Sequence, residues 1–210
     1  MRLSAPVAAA LLLAVAMFAS PPQAVTDSPT HTPAAKDLAS DAGAPVQPER
    51  TPLKLPLVNP KIVVSKSARR LELYSGGRVA REYRVVLGGY PVGDKEREGD
   101  SRTPEGEFYV CVKNEKSQFY RSLGLSYPNR EDAERGLRDG LITRAEYDRI
   151  LRAITRRRTP PWDTALGGEI FIHGGGTSND WTRGCVALDN ADMQELFDAV
   201  PLGTPVRITP

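Results

Sequence analysis

The sequence has 210 residues, room for one domain of ordinary size once non-folding stretches are set aside. Its 28 basic and 26 acidic residues nearly cancel, leaving +2, which argues against a nucleic-acid partner. Two cysteines, Cys111 and Cys185, allow at most one disulfide within the chain.

Arg2 and the apolar run Pro6–Ala19 read as a secretory signal over residues 1–24. The run is shorter than the ~20 residues that cross a bilayer. An uncleaved N-terminal anchor is the alternative, and either way the rest of the chain is exported to the periplasm or cell envelope. Residues 25–57 are Pro, Ala, Thr, Ser and Asp with almost no large apolar side chain, so they cannot offset their own ordering entropy. They are expected to form a disordered tether, and residues 58–210 the folded domain.

Strands are expected at Ile62–Val64, Leu71–Tyr74 and Val79–Leu87, with Ser75, Gly76 and Gly77 turning the last two into a hairpin. Gly106–Val112 alternates, with Phe108, Val110 and Val112 on one face and Cys111 on the other with Tyr109. Thr143 and Glu146 form a capping box ahead of Tyr147, Ile150, Leu151 and Ile154 at helical spacing. A cluster of arginines from Arg149 to Arg158 reads as a solvated basic face. Glu169–Ile172 is a short apolar strand ending at His173. Asp189 or Asn190 can cap a helix carrying Met193, Leu196, Phe197 and Val200, stopped by Pro201 and Gly203, and Pro205–Thr209 closes the domain as a strand. Strands outnumber helices, so the fold class is β-rich α+β.

Chemistry gathers at the only histidine of the domain, since His31 lies in the tether. His173 ends a strand and is followed by three glycines, and twelve residues later comes Thr182-Arg183-Gly184-Cys185. A thiol near its reference pKa of ~8.5 needs a base or cation to become a nucleophile, and an imidazole in reach supplies one. Backbone N–H groups around Gly184 and Cys185 are suited to an oxyanion, and a carbonyl of the Gly174–Gly176 loop is a candidate to orient the imidazole. One His and one Cys leave a zinc two ligands short, so no metal or cofactor is expected. By themselves these two residues fit a structural histidine and a buried free thiol better than a catalytic pair, and export makes a disulfide the default for the cysteines.

The wider pattern changes that balance. Ile172-His173-Gly174 followed by Asp180-Trp181-Thr182-Arg183-Gly184-Cys185-Val186-Ala187 and Asn190 resembles the catalytic signature of the L,D-transpeptidase (YkuD) family. Gly88-Gly89, Pro91–Gly93, Gly99-Asp100, Arg102–Gly106, Ser126–Asn129 and Ala165–Gly168 fit the same family in the same order, over residues 60–209. The resemblance implies a β-sandwich-like core with a helical insertion near residues 131–161 and a helix after the cysteine. It implies Cys185 as a free nucleophile and His173 as general acid/base, with Thr182 and Gly184 in the turn and oxyanion region. Arg183, Gly174 and Trp181 are then expected to meet substrate. The implied partners are peptidoglycan stem peptides: attack on the carbonyl of the third residue, typically meso-diaminopimelate, release of D-alanine, and transfer to an amine. Arg183 stands where many members have histidine, and Ala187 where many have arginine. These departures resemble a branch that includes an amidase releasing an envelope lipoprotein from peptidoglycan, so transfer and hydrolysis both stay open, with a non-catalytic binding module less favoured.

Overall fold

The computed structural model describes residues 50–210; the expected signal sequence and most of the expected tether lie outside them. Of the tether, residues 50–57 carry no helix or strand, yet Leu53 and Leu57 pack against the core and Arg50 pairs with Asp192.

Eleven elements follow: β1 Lys61–Ser65, β2 Arg70–Ser75, β3 Arg78–Arg84, β4 Gly106–Ser117, β5 Tyr120–Leu125, α1 Arg130–Arg138, α2 Arg144–Thr155, β6 Phe171–His173, β7 Val186–Ala187, α3 Asn190–Ala199 and β8 Pro205–Thr209. The strands form one mixed sheet in the order β3-β2-β1-β8-β4-β5-β6-β7. Most neighbours are antiparallel; β1 with β8 and β6 with β7 are parallel. Beyond β3, Val86 bridges to Ala187 of β7 by reciprocal backbone hydrogen bonds of 3.0 and 2.9 Å. The segment leaving the β2–β3 hairpin thus reaches the last strand of the sheet, and the expected sandwich-like core is enclosed by a single sheet whose ends meet.

Alternation puts Ile62, Val64, Leu71, Leu73, Val206 and Ile208 inside together with Leu123, Leu125, Ile172 and Val186, all buried. Met193, Leu196 and Phe197 of α3 complete this core at helical spacing. Phe108 and Val110 join it from β4, as expected. The register of β4 against β5 then slips between Val110 and Val112, so Val112 is half-buried and the Cys111 thiol lies within 3.4 Å of the Gly124 carbonyl.

Three elements differ from the sequence reading. β5 and the two-residue β7 are absent from it, and α1 precedes α2 with its own capping box, in which the Asn129 side chain accepts from the Asp132 N–H and the Asp132 carboxylate from the Asn129 N–H. The helical pair has a small core of Ala133, Ile142, Ile150 and Leu166. Arg135 ties it to the body by an ion pair with Asp94 and a hydrogen bond to the Lys95 carbonyl. These contacts pack the insertion against the body of the domain. At α3, Asp189 occupies the cap position without capping: its carboxylate accepts from the Thr177 hydroxyl at 3.1 Å.

Candidate active site

β6 delivers His173 to its end and β7 begins one residue after Cys185, so parallel pairing of these two short strands brings together residues twelve apart. The turn before Cys185 is closed by the Thr182 hydroxyl, which donates to the Cys185 carbonyl at 2.8 Å and accepts from the Gly184 N–H at 3.2 Å. The expected hydroxyl near the sulfur is thus spent inside the turn, and so is one expected oxyanion donor. The Cys185 N–H is the other expected oxyanion donor. Gly184 has φ +126°, and a Cβ there would meet the Arg102 carbonyl oxygen at 2.7 Å, so the turn needs glycine on both counts.

Behind the turn, backbone bonds from the Gly89 N–H to the Thr182 carbonyl and from the Thr182 N–H to the Leu87 carbonyl fasten it to the segment after β3. Asp180 strengthens the same attachment. Its carboxylate takes the Leu87 N–H at 2.8 Å and a forked contact from Arg69. Burial pushes this carboxyl up, but Arg69 and the Leu87 N–H outweigh it and hold the group below its ordinary value.

His173 is buried, and its Nδ1 lies 2.6 Å from the Gly174 carbonyl oxygen. A carbonyl can only accept, so Nδ1 carries the proton and Nε2 is left with a free lone pair. The expected orienting carbonyl is therefore that of Gly174. A Cβ on Gly174 would sit 2.5 Å from the Asn190 amide oxygen, which also accepts from the Gly175 N–H at 2.9 Å. Phe119, in the turn between β4 and β5, stacks on the imidazole with ring centres 4.7 Å apart. Trp181 meets it edge-on at 5.5 Å and donates its indole N–H to the Gly176 carbonyl. Trp181, expected to meet substrate, thus lies against the imidazole.

Both cysteines are free, so no disulfide links Cys111 and Cys185. The Cys185 sulfur accepts from the Phe171 N–H at 3.4 Å and faces the Glu169 carbonyl at 3.6 Å. It makes no hydrogen bond to His173. Burial pushes the thiol above its ordinary value of 9.0, against the pull of the Phe171 N–H and the Lys95 charge. Burial likewise holds His173 below 6.5, with the Gly174 carbonyl opposing. Both shifts favour a neutral thiol beside a neutral imidazole.

Cys185 lies where two clefts meet. The larger, about 820 Å³, is bounded by Lys95, Trp162, Gly168 and Arg183. The smaller, about 360 Å³, is bounded by Lys116, Phe119, Ser122 and His173. Cys185 and Glu169 line both. Trp162, at the exit of the insertion, packs edge-on against Phe171 at 5.7 Å and forms one wall of the larger cleft. Sequence reading missed Glu169, Phe119, Asp180 as a brace, and Lys95. Only Asp180 stood in a quoted motif; the others are brought to the site by long-range packing of strands and loops.

The chain belongs to the L,D-transpeptidase catalytic domain family, YkuD, whose family profile matches residues 59–208. YafK of Escherichia coli K12 is 25% identical over 146 residues, 66% of this chain and 46% of that protein. YqjB of Bacillus subtilis 168 is 24% identical over 151 residues, 72% of each. The chain spans about half the length of YafK. Among solved structures, the helical cell shape determining protein Pgp2 of Campylobacter jejuni gives a TM-score of 0.48 at 23% identity, over 71% of this chain and 46% of that one. The L,D-transpeptidase of Xylanimonas cellulosilytica gives 0.45 at 18% identity, over 76% and 65%.

Proposed function

We propose that this chain is an envelope peptidoglycan L,D-transpeptidase with Cys185 as nucleophile and His173 as its acid/base. The observation that carries the reading is the position of Cys185 at the meeting of two clefts, one of which also contains His173. The acyl part of a stem peptide then lies in the larger cleft, and the leaving or arriving amine in the smaller one beside the imidazole.

In this mechanism Nε2 takes the thiol proton as sulfur adds to the carbonyl of the third stem residue. The oxyanion falls to the Cys185 N–H, a type of contact worth roughly 10²–10³ in rate. Nε2 returns the proton to the amine of D-alanine as the peptide bond breaks, leaving a thioester. An acceptor amine then attacks, gives its proton to Nε2, and expels the sulfur, which recovers the proton. Arg183 is exposed beside the nucleophile and suits a substrate carboxylate. Water in place of the amine would make the same acyl-enzyme a hydrolase, able to release a lipoprotein amine or shorten the stem.

The test is incubation with muropeptides containing diaminopimelate, followed by mass analysis. Free D-alanine with 3–3 crosslinked dimers is expected. Tripeptide without dimers assigns water as acceptor and overturns transfer. No D-alanine release from the folded protein overturns the whole reading.

A further inference from the structure

Residues 50–57, ahead of β1, follow α3 from one end to the other. Arg50 pairs with Asp192 in the first turn of the helix. The Thr51 carbonyl accepts from Arg81 Nη2 at 2.6 Å, and the same nitrogen meets Glu195 at 2.8 Å. Leu53 and Leu57 pack on the core, and Leu55, Pro56 and Leu57 border one hollow with Ala199 and Val200 at the far end of the helix. Asp192 is buried and lies among like charges. Burial pushes its carboxyl up, Arg50 pulls it down, and Asp189 and Glu195 push it up again. Without Arg50 this carboxylate would be left buried and uncompensated.

The far flank of α3 supports His173. At 100° per residue, Asn190 and Gln194 fall on the side of the helix away from Asp192 and Glu195. Asn190 takes the Gly175 N–H at 2.9 Å, one residue past the carbonyl that fixes the imidazole. Gln194 accepts from the Tyr120 hydroxyl, beside Phe119, whose ring stacks on the imidazole. Leu188, just ahead of the helix, donates its N–H to the His173 carbonyl at 2.8 Å and accepts from the Gly176 N–H at 2.9 Å. A short packed helix shifts as one body, so whatever seats one flank sets the other.

We propose that residues 50–57 are a positioning strap: seated on α3 through Arg50, they hold the helix against the supports of His173 and so set the place of the imidazole. Arg50 acts through Asp192 and α3 and touches no reacting atom, which makes it a positioning residue. The effect on turnover rests on the transpeptidase reading, and the strap adds to that site a control point outside both clefts. Lifting it lowers the rate without blocking substrate.

The experiment compares the full chain with Arg50→Glu, which sets like charges against one another, and with Arg50→Lys, which keeps the pair. Amide hydrogen exchange is followed by NMR at Gly176 and Leu188 and across the β4–β8 pairing, with D-alanine release measured in parallel. Arg50→Glu should speed exchange at Gly176 and Leu188 about tenfold and leave β4–β8 unchanged. It should lower kcat about tenfold with the donor KM in place. Arg50→Lys should stay near wild type in both. Unchanged exchange at Gly176 and Leu188 in Arg50→Glu overturns the strap, as does a lysine variant impaired as much as the glutamate one. A rise shared evenly with β4–β8 also overturns it, because the segment would then only add stability. Local opening with no D-alanine release from any form leaves the strap standing and removes the transpeptidase reading. Release at the wild-type rate despite that opening does the reverse.

Discussion

At the scale of single residues, the resting state of Cys185 and His173 decides how the thiol is used. A thiol raised by burial and an imidazole lowered by burial share one neutral pair, so the proton moves only as sulfur attacks. Alkylation of Cys185 by iodoacetamide should therefore accelerate with pH through a midpoint above 9.0. A rate that is flat from neutral pH downward would indicate a preformed thiolate–imidazolium pair and contradict this. Turnover should fall on the acid side with an apparent pKa below 6.5, set by His173. Asp180 acts one layer back, through Arg69 and the Leu87 N–H. Asp180→Ala should lower turnover by roughly 10- to 100-fold, the effect of misplacing reacting groups by a fraction of an ångström. Cys185 should still alkylate with its wild-type pH profile in that variant; loss of the profile would mean that the turn itself had collapsed.

Glu169 and Phe119 show why some of the site was illegible. Cys185 and His173 are chemically distinctive and sit in a contiguous motif, so residue type and spacing were enough to single them out. Glu169 matters because β6 begins two residues later and turns its carbonyl onto the sulfur, which no local pattern reports. Phe119 reaches the imidazole only because β5 pairs with β6, placing Ser122 opposite His173.

At the scale of elements, the strands with clear alternation or β-branched runs were read from sequence, whereas β5 was not. Tyr120–Leu125 buries four consecutive residues from Ser122 to Leu125, so it lacks the period-two pattern of a half-exposed strand. The helix α1 was missed as a separate element because its cap uses Asn129 and Asp132 in place of the Thr and Glu that announce α2. Its stability follows from that cap. Asn129→Ala should cost about 1 kcal/mol by chemical denaturation. Ile150→Ala, which empties the small core of the insertion, should cost about 2–5 kcal/mol. If the insertion is a packed flank, that variant should also raise amide exchange at α1 and α2 before it affects β1 or β8. In the catalytic turn, Gly184→Ala meets both a strained φ and the Arg102 carbonyl. It should abolish turnover, and a wild-type rate would show that the turn has another conformation open to it.

At the scale of the whole molecule, the buried imidazole links acidity to stability. The folded chain holds His173 below 6.5 and the unfolded chain does not, so the unfolded state binds the proton first as pH drops. Stability from this source is complete above pH 6.5 and declines below it, by at most about 1.4 kcal/mol per pH unit. Denaturant titrations at pH 7.5 and 5.5 should show a larger loss for the wild type than for His173→Asn, whose side chain does not titrate. Equal losses would place the imidazole in a more solvated setting than its burial implies.

The bridge from Val86 to Ala187 also has a meaning in time. The strand that follows Cys185 is two residues long and is held between β6, more than a hundred residues along from the domain's first strand, and the segment that leaves the β2–β3 hairpin. Pairings this distant in sequence carry a larger loop-closure cost than the local hairpins and helices. Until the two ends of the sheet join, Cys185 has neither its turn nor its base. On the reading proposed above, a chain not yet folded would carry only an ordinary thiol at Cys185, and the chemistry would wait for that seam to close.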